Sequence, residues 1–163
     1  MKKFDKEKLV NQVIAGAREN SIGVVLFHQA VGRILGINVT DMKSLDIIAI
    51  RGFVNPSQLA EFTGLSTGST TAMIDRLDKR GLIERRPNPE DRRGTIIVLT
   101  KAASKKLPPL FESMAKAMKT LVSGYSEEEL ETLSEFFMKV TLLWRKERDK
   151  LRLQFGGKVR PSQ

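Results

Sequence analysis

The side chains with chemistry to offer fall into two short stretches. Residues 66–76, Ser-Thr-Gly-Ser-Thr-Thr-Ala-Met-Ile-Asp-Arg, gather hydroxyls around a glycine and close on Arg76. Residues 91–94, Asp-Arg-Arg-Gly, set two guanidinium groups beside a carboxylate. Hydroxyls donate to phosphate oxygens, and the planar arginine fork matches phosphate or a guanine edge bidentately. Elsewhere such groups are sparse. His28 is the sole histidine and there is no cysteine, which removes disulfides, thiolate redox switching and Cys-based metal sites. With no cysteine and no clustered carboxylates nearby, His28 is expected to pack between helices rather than ligate a metal. No metal and no cofactor are expected. No nucleophile–base–orienter set, phosphate-cradling glycine loop or paired carboxylates can be found, so the chain reads as a non-enzyme.

The overall charge points to the same kind of partner. Lys and Arg number 28 against 19 Asp and Glu, a formal charge of +9 with a pI near 10.0. That excess favours nucleic acid or an acidic membrane. Residues 145–160 are strongly basic, but they lack an apolar face long enough for a membrane-surface helix. The first residues, Met-Lys-Lys-Phe-Asp, do not form the apolar run of a signal peptide, and no apolar stretch approaches a membrane span. A cytoplasmic location is expected.

Helical spacing of Leu9, Val10, Val13, Ile14 and Ala17, then Val24, Val25, Phe27, Ala30, Val31 and Ile34, predicts a long helix over 6–35. Asn20 to Gly23 interrupts that spacing and predicts a bend. The first half of this helix is too sparsely apolar for a monomer's interior and too apolar for water, which fits an intersubunit surface. Thr40 is expected to cap a second helix over 41–51, with Met42, Leu45 and Ile48 inward and Ile50 a further candidate. Asn55-Pro56 opens a short third helix that ends at Gly64, with Leu59 and Phe62 inward. Ser66 caps a fourth, running to about Arg80. Two helices joined through Gly64-Leu65 in a short turn form a helix-turn-helix.

Residues 82–86 and 95–99 then read as two strands around a charged tip. Thr100 caps a helix that Pro108-Pro109 is expected to break or kink, since each proline removes a backbone donor. Ser126-Glu127-Glu128-Glu129 is a capping box. The helix it opens carries a stripe of Leu130, Leu133, Phe137, Val140 and Trp144, in which Leu133, Phe137, Val140 and Trp144 are expected to make a dimer core. The fold class is mainly α with a small β-hairpin wing: a winged helix-turn-helix plus a helical dimerisation lobe.

That arrangement suits double-stranded DNA. The second helix of the motif fits a major groove about 12 Å wide, where each base pair shows a distinct donor and acceptor pattern. Thr70, Met73, Ile74 and Leu77 lie at core spacing, which turns Thr67, Gly68, Ser69, Thr71, Ala72 and Arg76 outward. Ser66, Thr67, Gly68, Ser69 and Thr71 are the expected DNA contacts near the helix start. Arg76 is expected to be exposed and to meet a base edge. Arg92 and Arg93 at the wing tip suit a narrow, negative minor groove, and Asp91 is expected to orient one of them. The alternative is a winged-helix module that binds a protein or RNA partner rather than duplex DNA.

The stretch Leu65 to Thr100 resembles the winged-helix core of the MarR family (multiple antibiotic resistance regulators). The resemblance lies in Leu77, the run Gly81-Leu82-Ile83-Glu84-Arg85, the tip Asp91-Arg92-Arg93-Gly94 and the closing Leu99-Thr100. It covers roughly residues 5–150 and implies one domain over 1–153, with the winged-helix core at about 40–100 and dimerisation helices at about 5–35 and 101–150; the polar residues 154–163, with Gly156-Gly157, are expected to trail as a disordered basic tail. It also implies an obligate homodimer that represses or activates genes, with a repressor relieved by a small anionic or aromatic ligand the expected form, and two-fold symmetry would then impose an inverted-repeat operator. Ala103 stands where many members have glycine, and Pro108-Pro109 falls in a helix that the family keeps long.

Overall fold

The computed structural model describes residues 5–91 and 94–155. The expected tip arginines Arg92 and Arg93, and all of the expected tail except its first two residues, lie outside the described residues. Six helices and a hairpin follow in the order α1 (Lys6–Leu35), α2 (Val39–Arg51), α3 (Pro56–Thr63), α4 (Thr67–Lys79), β1 (Ile83–Pro87), β2 (Thr95–Leu99), α5 (Lys101–Val122) and α6 (Glu127–Phe155) among those residues. The chain divides into two compact units, Met1–Phe111 and Glu112–Gln163.

The first unit has a closed apolar core. Val31 of α1, Met42, Leu45 and Ile48 of α2, Leu59 of α3, Met73, Ile74 and Leu77 of α4, and Ile97 of β2 are buried together. Ala103 and Leu107 of α5 join them. Helix α2 begins earlier than expected. Asn38 is its cap, with Oδ1 accepting from the Asp41 amide at 2.8 Å, so Thr40 sits inside the first turn. Ile50 is 79 % exposed, because a position five residues past Leu45 has turned off the inward face. The Asn55 cap of α3 is a full capping box with Gln58.

Strands β1 and β2 pair antiparallel, with Ile83 opposite Leu99 and Pro87 opposite Thr95. Val54, just before α3, extends this ladder by exchanging both backbone bonds with Ile97, at 3.1 and 2.7 Å. The hairpin is thereby fastened to the loop that opens the helix-turn-helix. Thr100 fastens its other end: the hydroxyl donates to Gly81 O and accepts from the Ala103 amide that starts α5.

Neither sequence ends its helix: α1 runs as one helix through Asn20–Gly23, and α5 is not broken at Pro108-Pro109. The prolines cost α5 two amide donors, while Leu107 immediately before them and Ala103 about one turn further upstream remain anchored in the core. His28 packs as expected. Its Nδ1–H donates to Val24 O at 2.7 Å, and its ring lies near those of Phe27 and Phe111. Lys43 Nζ donates to Nε2 at 3.3 Å.

The second unit holds the rest of α5 and all of α6. The capping box forms, with Ser126 N donating to Glu129 Oε2 at 2.8 Å and Glu129 N donating to Ser126 Oγ at 3.2 Å. No residue of α6 is buried. Leu133 and Val140 are half-buried, Phe137 is exposed, and Trp144 is 69 % exposed. The helix runs to Phe155, so residues 154 and 155 are helical rather than tail.

Gly32 marks a tight backbone approach in the first unit. A Cβ there would stand 2.8 Å from the carbonyl oxygen of Ile37, the residue whose amide bonds Gly32 O as α1 ends. Gly32→Ala is expected to cost about 1–3 kcal/mol by overpacking. Urea denaturation checks it, and an unchanged midpoint would show that the α1–α2 turn yields freely.

Candidate nucleic-acid interface

Helix α4 has two contrasting faces. Thr70, Met73, Ile74 and Leu77 are all buried, and Thr67, Gly68, Ser69, Thr71 and Ala72 are all exposed. Ser66 serves as the cap, accepting from the Ser69 amide at 3.2 Å while its hydroxyl donates to Ser69 Oγ at 2.9 Å. Thr71 Oγ1 turns back onto Thr67 O at 3.0 Å, leaving the hydroxyl oxygen open to a donor. No acidic residue lies in the first turn, so nothing there opposes the helix dipole's attraction for an anion.

Gly68 is informative because the protein itself does not require it. A Cβ at that position would meet nothing within 4 Å, and its φ is not positive. Glycine inside a helix costs up to about 1 kcal/mol relative to alanine. The missing side chain therefore leaves room for something outside this unit.

Arg76 is held in a way that its outward position does not foretell. Its Nε donates to Asp41 Oδ2 at 2.8 Å and its Nη2 to Asp41 Oδ1 at 2.6 Å. The arginine side chain is 43 % exposed, the aspartate 1 %. These hydrogen bonds raise the guanidinium pKa further above its usual value, against the opposing effect of burial. Arg76 is therefore exposed but not free. The expected exposure holds, and the added tether to Asp41 arises because a carboxylate buried at the start of α2 needs a cation. The sequence analysis assigns Asp41 no role, because its partner stands 35 residues away in another helix.

Several other charges near α4 are also paired. Arg85 of β1 donates to both Asp75 and Asp78, and Arg86 donates to Glu84. Asp75 and Asp78 thus present less negative charge on a helix otherwise flanked by Lys79 and Arg80. At the wing, Asn88 N donates to Gly94 O and Gly94 N to Asp91 O, closing the tip. A Cβ on Gly94 would stand 3.3 Å from Asn88 Cβ and Asp91 O, a tight fit that the neighbours would have to ease by a few tenths of an ångström. Asp91 is exposed.

Comparison with known proteins places this geometry. A family model described as MarR family matches residues 37–95. The Bacillus subtilis HTH-type transcriptional regulator YcgE is 41% identical over 128 residues, spanning 78% of this chain and 83% of that protein. The HTH-type transcriptional regulator MhqR of the same organism is 30% identical over 107 residues, spanning 66% and 74%. Among solved structures, Streptococcus pneumoniae FabT in complex with DNA matches with a TM-score of 0.63 at 23% identity, over 86% of this chain and 99% of that one. A mutant MarR from E. coli, complexed with operator DNA, matches with a TM-score of 0.53 at 23% identity, over 86% and 99%. These two likenesses are of fold.

The Asp41–Arg76 pair carries a stability consequence. Arg76→Ala leaves a buried carboxylate without its cation and is expected to cost roughly 3 kcal/mol. That is the low end for breaking a buried pair, because water reaches the half-exposed guanidinium. Denaturant titration beside the wild type checks it, and equal stability would mean that Asp41 finds other donors.

Proposed function

The chain belongs to the MarR family, and from that premise we propose that it is a transcription regulator that reads duplex DNA as a homodimer on an inverted-repeat operator. The observation that carries the reading is α4, gripped by the core on one face and offering hydroxyls and an unneeded glycine on the other. Ser66, Thr67, Gly68, Ser69 and Thr71 enter the major groove, where small side chains let the backbone approach phosphates and base edges. Arg76 adds a contact through the N–H groups that Asp41 leaves open. Arg92 and Arg93 enter the minor groove, with Asp91 orienting one of them.

Pairing is supported by apolar surface that a lone chain leaves in water. Leu9, Val10, Val13 and Ile14 of α1 and Phe137 and Trp144 of α6 are exposed, and with Leu133 and Val140 they form the dimer core. The family resemblance carries the repressor role and relief by a small ligand. A cavity of about 310 Å³ lined by Met42, Leu45, Ala49, Leu107 and Phe111 would take an aromatic ligand, and Asp46 in its wall disfavours an anionic one.

Selection of duplexes from a random pool by the purified protein tests this directly. The expected product is an inverted repeat with half-sites about 10–10.5 base pairs apart, as two-fold symmetry demands. An unenriched pool would favour a winged helix that binds protein or RNA, and a single asymmetric half-site would count against the dimer.

Gly68 gives an independent check, because the two roles of a residue there oppose each other. Gly68→Ala is expected to stabilise the free protein by up to about 1 kcal/mol while weakening binding to the selected duplex. Thermal denaturation and a binding titration measure the two effects. A variant both more stable and equally tight would remove α4's first turn from the interface.

A further inference from the structure

The ion pair between α2 and α4 is unlike the other charged contacts around α4. Arg85–Asp75, Arg85–Asp78 and Arg86–Glu84 join side chains that are all more than a third exposed. Such pairs are screened and contribute little. Asp41 is a buried carboxylate, and both of its oxygens are taken by one guanidinium. It cannot reach DNA. Yet it fixes the side of Arg76 that carries Nε and one hydrogen of Nη2, so the remaining Nη1 and outer Nη2 hydrogens have a set direction. Through the same two bonds it ties the C-terminal half of α4 to the start of α2.

We propose that Asp41 is a specificity-determining positioning residue, which acts on DNA through Arg76 by fixing both the direction of the guanidinium and the roll of α4 against α2. A planar fork held at two points can present its free edge in only one orientation, whereas an ammonium carries the same charge without that geometry. The consequence is a division of labour. Charge alone supplies affinity for any duplex, and the buried pair supplies preference among duplexes.

This rests on the DNA reading above, and the test keeps the two apart. Wild type, Asp41→Asn, Arg76→Lys and the double variant are titrated with the selected duplex and with a scrambled one, at several salt concentrations. Thermal denaturation runs beside each as a check of the fold. Asp41→Asn, remote from DNA, is expected to lower the ratio of selected to scrambled affinity roughly tenfold, while scrambled-duplex affinity, with one negative charge fewer beside Arg76, does not fall below the wild-type value. Arg76→Lys is expected to lower the ratio similarly despite its retained charge. The double variant should lose no more than either single one, because the two residues act as a unit.

A preserved ratio in Asp41→Asn, or losses that add in the double variant, would overturn the proposal. If Asp41→Asn does not fold, D41L/R76M replaces the pair with apolar side chains of similar volume. It should fold and show the same lost preference, and a preserved preference there would equally overturn it. A wild type that prefers no duplex would instead overturn the DNA reading.

Discussion

The surface of α4 depends on the grip that the core keeps on its opposite face. Met73, Ile74 and Leu77 are almost wholly buried, and each such side chain contributes about 1.5–3 kcal/mol on leaving water. Thr70 goes in with them although its hydroxyl finds no partner among the described residues, a loss of about 1–3 kcal/mol. The apolar gain exceeds that loss and the helix penalty of Gly68 together. Because packing rather than propensity holds α4 helical, its outer face can carry glycine and β-branched hydroxyl residues that an isolated helix would tolerate poorly.

Charge then refines what packing has set. The two exposed pairs of Arg85 join the wing strand to α4 and mask its two acids, at small net energy. The Asp41–Arg76 pair is different in kind. Burying a carboxylate costs several kcal/mol, which a bidentate guanidinium roughly returns, so the pair adds little net stability while being costly to break. An interaction of that type fixes geometry more than it adds energy. It joins α2, whose Met42, Leu45 and Ala49 also line the cavity, to the helix proposed to read DNA.

What the sequence makes legible here follows the range of each interaction. Caps join a side chain to an amide three residues on, so Asn55, Ser66, Thr100 and Ser126 can be recognised from neighbours alone. The inward set of α4 is equally local, being a matter of period. Asn38 and Thr40 are both good caps for α2, and only the extended backbone at Asn38 decides between them. Pro108-Pro109 does not break α5, because the local rule counts two lost donors and cannot count the anchoring of Ala103 and Leu107 in the core. For the candidate site, the exposed face of α4 is legible by elimination from its core face. The engagement of Arg76 is not, since its partner lies in another helix and no local pattern ties the two together.

The same bookkeeping of apolar surface separates the ends of α1. Val31 and Gly32 near its C-terminus are buried, whereas Leu9, Val10, Val13 and Ile14 lie open. The core of the first unit is already closed without the open residues, and no residue of α6 is buried. A chain that kept all these side chains in water would forgo about 1.5–3 kcal/mol for each one that could be covered. In the proposed dimer that surface brings two copies of α4 together at a fixed spacing. Once the first copy has bound its half-site, the second meets its own at high effective concentration. Weak discrimination by hydroxyl side chains at one half-site is thereby multiplied across two. The apolar faces of α1 and α6 are in this way part of how α4 comes to select a sequence.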